Sequence, residues 1–261
     1  RINYVPTQAK EQAETLLDMA IDNFKERKGT VEAVTHLPMK ECVVGFSSES
    51  ILEALGGSLD PLLDAIKEGT IQGVAGFVSC TTLRDYGQDV HSMAVAKELI
   101  KRDILVLSMG CGNAALQVGG LCSLDAAELA GPGLKSICEA LKIPPVLSFG
   151  TCTDTGRIAD LLGAISAALG DVAIPDLPVV AAAPEYMEQK ATIDAVFALA
   201  LGLFTYVNPV PPVTGAPNLV KLLTKDCPSI TGGELSVETD PVKAVELMAL
   251  HIQARRQALG I

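Results

Sequence analysis

Beyond residue 70 the chain alternates short, unbroken apolar runs with longer stretches in which apolar residues return every three or four positions. Runs of four to eight bounded by turn residues read as buried strands, and the periodic stretches read as amphipathic helices. The pattern predicts strands at 71–79, 104–109, 146–150, 178–183, 204–207 and 235–238. It predicts helices at 88–101, 113–120, 125–141, 155–169, 185–201 and 241–258. Strands and helices alternating through short loops imply right-handed βαβ crossovers. The fold class is therefore α/β, a Rossmann-like open, mostly parallel sheet with helices on both faces.

Ahead of these units, apolar and charged residues at helical spacing over 7–28 predict an amphipathic helix ended near Gly29. Ser47 or Ser48 can cap a helix through Leu55, stopped by Gly56-Gly57, and Asp60-Pro61 opens another through Lys67. The organisation expected is a lead-in helical segment over 1–40 and a Rossmann-like domain over 41–261. The Pro-rich stretch from Asn208 to Pro217 suits neither helix nor central strand and is expected to be an extended surface or active-site loop.

Composition narrows the function classes. The 261 residues are 49% hydrophobic and 20% charged, with no Trp and only 4% aromatics, so the core rests on aliphatic packing and stacking platforms for single-stranded nucleic acid are not expected. A formal net charge of −11 argues against nucleic acid and anionic membrane as partners, because phosphate neutralisation needs clustered Lys and Arg. No apolar stretch approaches the about 20 residues that span a bilayer. The longest, Ala195 to Val207, is interrupted by Gly202 and Thr205. The chain opens Arg1-Ile2-Asn3 with no secretory signal and reads as a piece of a longer protein. Seven cysteines, an odd count, argue against a disulfide framework and for a reducing, cytoplasmic setting.

Three of those cysteines close predicted strands: Cys80 after Gly76-Phe77-Val78-Ser79, Cys111 after Leu107-Ser108-Met109-Gly110, and Cys152 after Phe149-Gly150-Thr151. The carboxyl ends of parallel strands share one edge, and the loops leaving it form the ligand crevice, so the three thiols should converge. Each is expected just before a helix amino terminus, where free N–H groups and the macrodipole favour a thiolate. Convergent thiolates suit a soft metal or an iron–sulfur site. Cys42, Cys122, Cys138 and Cys227 read instead as small buried hydrophobes. Gly110-Cys111-Gly112-Asn113-Ala114-Ala115 formally matches a dinucleotide fingerprint, but the next strand closes on Gly150 rather than on the acidic residue that would hold a ribose. His91 reads as a polar helix residue, His36 and His251 have no partner in sequence, and Asp154 and Arg157 are spaced to pair at a helix start.

Several longer motifs resemble a known family. They are Ala54-Leu55-Gly56-Gly57-Ser58-Leu59-Asp60-Pro61-Leu62, the run Glu98 to Leu107 leading to Gly110-Cys111, Phe149-Gly150-Thr151-Cys152-Thr153-Asp154 with Arg157-Ile158, Ala183-Pro184-Glu185-Tyr186-Met187-Glu188-Gln189-Lys190-Ala191, and Pro211-Pro212-Val213-Thr214-Gly215. In this order they resemble the carboxyl-terminal domain of the anaerobic nickel–iron–sulfur carbon monoxide dehydrogenases, within the hybrid-cluster protein and carbon monoxide dehydrogenase superfamily. The resemblance implies an oxidoreductase that reversibly oxidises CO with water to CO2 at a nickel–iron–sulfur cluster of the Ni-4Fe-4S type. Cys80 and Cys111 would hold irons, Cys152 would hold nickel, and Lys190 would be the active-site lysine. It also implies a ferredoxin-like electron acceptor and a homodimer.

In that family the remaining cluster ligands, the catalytic histidine and the relay-cluster cysteines come from regions before this domain, and none of those motifs is present in this sequence. The chain alone is therefore expected to be inactive, with its cluster incomplete or absent. Thr153 and Thr155-Gly156 also depart from the residues expected beside the nickel thiolate. Two alternatives stand beside this reading. One is a hybrid-cluster protein domain, hydroxylamine reductase-like, which calls for a carboxylate ligand. The other is a non-catalytic Rossmann-like scaffold.

Overall fold

A computed structural model of the protein describes residues 2–3, 5–29, 41–83 and 87–261. His36 lies outside the described residues. The chain divides into two compact units, residues 1–39 and 40–261. In the first, helix α1 (Ala9–Arg27) follows a 3-10 turn at Pro6–Gln8, and none of its residues is buried. Leu16, Leu17, Met19, Ile21 and Phe24 are exposed on it.

The second unit opens with α2 (Ser48–Ala54) and α3 (Asp60–Lys67). Ser47 caps α2 through its side chain, and Pro61 sits in the first turn of α3, where its missing N–H costs nothing. Then come β1 (Gly73–Ser79), α4 (Val90–Lys101), β2 (Ile104–Met109), α5 (Gly110–Val118), α6 (Pro132–Leu141) and β3 (Val146–Gly150). After these follow α7 (Gly156–Ala168), β4 (Val179–Ala183), α8 (Gln189–Ala200), β5 (Phe204–Val207), α9 (Pro217–Lys221), α10 (Cys227–Ile230), β6 (Glu234–Val237) and α11 (Pro241–Leu259).

Among the described residues the strands form one six-stranded sheet in the order β3-β2-β1-β4-β5-β6, and every pairing is parallel. The α/β expectation is met, with a sheet that is wholly rather than mostly parallel. Two glycines of β1, three positions apart and so on opposite faces, show that both faces are covered. A Cβ on Gly73 would lie 2.8 Å from Ile252 of α11, and one on Gly76 would lie 3.8 Å from Ile158 of α7. With helices on both sides, β2 is buried at every position, and β6 at the edge is not.

The chain runs outward from β1 to β3, returns to place β4 beside β1, and then runs outward the other way. That reversal is the switch point at which open α/β sheets leave a crevice.

Several predicted limits shift for identifiable reasons. The single helix expected at 125–141 is a 3-10 stretch (Leu124–Leu129) and then α6. Gly131-Pro132 breaks it, and the Asp103 carboxylate accepts the Leu134 N–H at 2.7 Å, starting a new helix there. The helix expected from 185 begins only at Gln189, because Pro184 to Glu188 form a turn. Residues 217–230, for which no element was expected, are helical, including a π-helical segment at Leu222–Asp226. Arg157 lies 3.7 Å from Glu49 rather than pairing with Asp154. His251 finds partners in space: its ring lies 5.1 Å from that of Phe204, its Nε2 accepts from Arg255 at 3.4 Å, and burial lowers it to about 4, leaving it neutral at pH 7.

Arg256 of α11 is buried and closes the base of the sheet. Its Nη1 donates to the carbonyl oxygens of Ile66 (2.6 Å), Gln72 (3.2 Å) and Ile71 (3.3 Å), the turn that enters β1. We expect Arg256→Met to lower unfolding stability by about 2–3 kcal/mol, the scale of a charge-assisted bond and its orphaned acceptors. Chemical denaturation followed by circular dichroism would measure it.

Candidate functional site

The carboxyl ends of β1, β2 and β3 are drawn together by backbone contact. The β1–β2 pairing continues one step past its regular register as a bridge between Ser79, the last residue of β1, and Gly110, just after β2. The β2–β3 register slips between Ser108 and Met109, so that Met109 pairs with Gly150. Gly110 has φ +80°, and a Cβ there would lie 2.9 Å from the Ser79 carbonyl oxygen and 3.3 Å from the Cys152 Cβ. A Cβ on Gly112 would lie 2.5 Å from the Ser79 Cβ. Glycine at both positions lets three strand ends approach closely enough to share one cleft.

That cleft is lined by Cys80, Cys111, Cys152 and Lys190, with Glu188 and Asp194 beside them. All four residues singled out in the sequence thus face one space, although they come from four separate stretches. Their local settings differ. Cys111 is exposed in the first turn of α5, and Cys152 opens a 3-10 turn (Cys152–Asp154) just ahead of α7. Cys80 departs from expectation: nine residues separate it from α4, and among the described residues no helix amino terminus directly follows it. It is buried instead, in a small cluster with Tyr186 and Ala191.

Lys190 is the second residue of α8, nearer the helix start than expected. The Glu188 carboxylate, 3.5 Å away, raises it above the usual lysine value, and the Cys152 and Cys111 thiols add to that effect. A cation in the first turn opposes the helix macrodipole, so helix stability does not account for its position. Asp194, one turn further on, is raised by burial, partly offset by its bond to Thr155 and by Lys190.

The remaining cysteines stay apart from the cleft. Cys42 lies against the Gln117 carbonyl oxygen at 3.7 Å, and Cys227 against the Thr231 hydroxyl at 3.4 Å. Cys122 and Cys138 are buried, which pushes each thiol up to about 12. His91 is, as expected, a polar residue of a helix, α4; it is buried and meets the Tyr206 hydroxyl at 2.8 Å.

Among the described residues no three His, Cys, Asp or Glu side chains are grouped tightly enough to hold one metal ion. The three thiols line one cleft, and thiols are soft donors of the kind that suit a soft metal or an iron–sulfur group.

The sequence profile of the Prismane/CO dehydrogenase family matches residues 1–242. The chain belongs to this family. It is 73% identical over 261 residues to carbon monoxide dehydrogenase 2 of Methanosarcina mazei, covering 100% of this chain and 41% of that protein. It is 60% identical over 260 residues to the carbon monoxide dehydrogenase of Archaeoglobus fulgidus, covering 100% of this chain and 42% of the relative. A solved, as-isolated and nickel-free carbon monoxide dehydrogenase from Thermococcus sp. AM4 superposes with a TM-score of 0.87 at 44% identity, over 99% of this chain and 40% of that one. An acetyl-CoA synthase/carbon monoxide dehydrogenase with NiZn[Fe4S4] and NiNi[Fe4S4] clusters in its alpha subunits superposes with a TM-score of 0.85 at 34% identity, over 99% of this chain and 40% of that one. The chain spans about two fifths of the length of the curated relatives it matches.

Within this Prismane/CO dehydrogenase domain, two bracing residues escaped the sequence reading. Asn113 ties β2, β3 and α5 together: its Oδ1 accepts from Ser108 Oγ at 2.6 Å, and its Nδ2 donates to Ser148 Oγ at 2.9 Å and the Gly150 carbonyl at 3.2 Å. Glu185 is fully buried and accepts the N–H groups of Thr82 at 2.9 Å and Ser92 at 3.1 Å. Neither type in that position signals a brace without the fold. Glu188 and Asp194 were likewise not anticipated on the cleft wall, because their approach to the thiols depends on where α8 begins.

In the metal-free protein we expect Cys111 to alkylate first, and Cys122 and Cys138 to resist at pH 8 until the chain unfolds, read by peptide mass mapping. Both buried thiols keep their protons to about 12 against an ordinary 9.0. The stability they contribute is therefore intact below about pH 9 and is lost as the pH rises toward 12, which denaturation midpoints across that window would record.

Proposed function

We propose that this chain is the carboxyl-terminal domain of an anaerobic carbon monoxide dehydrogenase, which reversibly oxidises CO with water to CO2, two protons and two electrons. In this reading Cys80 and Cys111 hold irons of a nickel–iron–sulfur cluster, Cys152 holds nickel, and Lys190 is the active-site cation. The observation that carries it is the single cleft lined by all three strand-end thiols and Lys190. Family membership and the relatives' names support the same reaction class.

When bound, the cluster supplies the sites that take up CO and water and the store for the electrons. This chain's own residues do the rest of what it contributes. Lys190 would present a positive charge to the cleft and so stabilise negative charge developing on the substrate there. Glu188, paired with it, keeps the lysine protonated and turned toward the cleft. Tyr186 and Ala191 cover Cys80 and exclude water from that thiol. Three thiolates cannot satisfy every metal of such a cluster, so the chain by itself is inactive and the complete site draws on further ligands. The family resemblance also supports a ferredoxin-like electron acceptor, a homodimeric assembly and a cytoplasmic setting. Among the described residues no helix is long and apolar enough to cross a membrane.

The test is made on the full-length protein, loaded anaerobically. We expect Cys152→Ser to lose nickel while keeping most of its iron. We expect Lys190→Ala to keep both metals and lose about 100-fold or more in kcat, the scale of removing one preorganised charge-stabilising group. Iron without nickel in the wild-type protein would move the reading to a hybrid-cluster protein, whose carboxylate ligand Glu188 or Asp194 could supply. Full activity in Cys152→Ser would leave only a scaffold.

A further inference from the structure

Cys111 and Cys152 are held by the Gly110 contact and by Asn113, and each stands at or near a helix start. Cys80 shares the Ser79–Gly110 bridge on one side but has no helix start directly after it among the described residues, so the loop that follows must be fixed in another way. We propose that Glu185 is the positioning residue that sets the Cys80 thiol in the cleft. The proposal rests on the reading of Cys80 as a cluster ligand.

Glu185 grips the chain on both sides of Cys80. Its backbone N–H donates to the Ser79 Oγ at 3.0 Å, one residue before the thiol. Its Oε2 accepts the Thr82 N–H at 2.9 Å, two residues after it. Its Oε1 takes the Ser92 N–H at 3.1 Å, in the first turn of α4, and so anchors the loop to that helix. Between these points the Thr81 hydroxyl donates to Asp89 Oδ1 at 2.5 Å, which leaves Cys80 flanked by tied residues.

The support behind Glu185 is also rigid. Asn208, at the end of β5, donates its N–H to the Ala183 carbonyl at 3.0 Å and its Nδ2 to the Pro184 carbonyl at 3.0 Å, and it accepts the Tyr186 N–H. Tyr186 in turn packs on Cys80. The turn so fixed leads within five residues to Lys190, so one buried side chain sets the thiol relative to the cation.

A fully buried carboxylate is costly, and a neutral cap on α4 would be cheaper. Glutamate offers what a neutral residue of this length does not, namely two acceptor oxygens for two N–H groups on different segments. Glutamine has one carbonyl oxygen, so in either flip its NH2 faces an N–H donor and one of the two bonds is lost.

Glu185→Gln in the full-length protein tests this, first without metal. We expect iodoacetamide to alkylate Cys80 about tenfold or more faster than in the wild type, as loss of a charge-assisted bond frees the loop, with the Cys111 and Cys152 rates changed less than about twofold. An unchanged Cys80 rate overturns the proposal. An equal rise at all three thiols also overturns it, because it would assign Glu185 to general stability. If the glutamine variant does not accumulate, Ser79→Ala removes the acceptor of the Glu185 N–H, and the same comparison holds. In the anaerobically loaded protein the expected companion is an about 10–100-fold weaker hold on iron against a chelator, the usual scale for residues that orient a metal ligand. Because the alkylation is read without metal, a wild-type protein that binds no nickel or iron sinks the cluster reading and leaves the Glu185 and Cys80 result to be judged separately.

Discussion

Ser79, Gly110 and Cys152 meet where three parallel strands end, and that contact governs the rest of the molecule's useful face. Parallel register alone would bring the strand ends to one edge, but side chains at Gly110 and Gly112 would hold them apart. With no Cβ at either position, β1 and β2 bridge one step beyond their regular ladder, and the segment carrying Cys152 closes against both. The buried, fully parallel sheet supplies the stiffness that makes such an approach sustainable.

The electrostatics of the cleft follow from this closure. In a chain of net charge −11, one lysine faces three thiols, and a neighbouring glutamate raises its hold on its proton. Its place in the first turn of α8 opposes the helix dipole, so helix stability does not account for a cation there. The buried Glu185 and the Asn113 amide lie one layer out, spanning elements that have no local reason to stay together. Thiols, cation and braces together form one pocket, in a chain that spans about two fifths of the length of its relatives.

The strands were legible from the sequence because a strand buried on both faces reads as an unbroken apolar run. β2, β3 and β5 begin and end where expected. Helix limits were less legible wherever tertiary contacts overrode periodicity. Asp103, from the turn before β2, starts α6 in mid-pattern, and Asn208, just after β5, holds the turn that delays α8. The segment 217–230 carries Pro217 and Pro228, which disguise it as loop, yet each proline falls in the first turn of a short helix, where it is tolerated. The three thiols and Lys190 were legible as candidates, the thiols because each follows a strand, whereas Glu185, Glu188, Asn113 and Asp194 were not.

The sequence by itself determined the α/β class, the strand positions and the identity of the candidate donors, because those depend on local apolar pattern and on which residue closes each run. Only the tertiary structure decided the strand order, the reversal that sets β4 beside β1, the burial of Cys80 apart from any helix start, and the residues that brace it. These depend on contacts between segments up to about a hundred residues apart, such as Thr82 with Glu185, and no periodicity along the chain encodes which distant partner a side chain will meet.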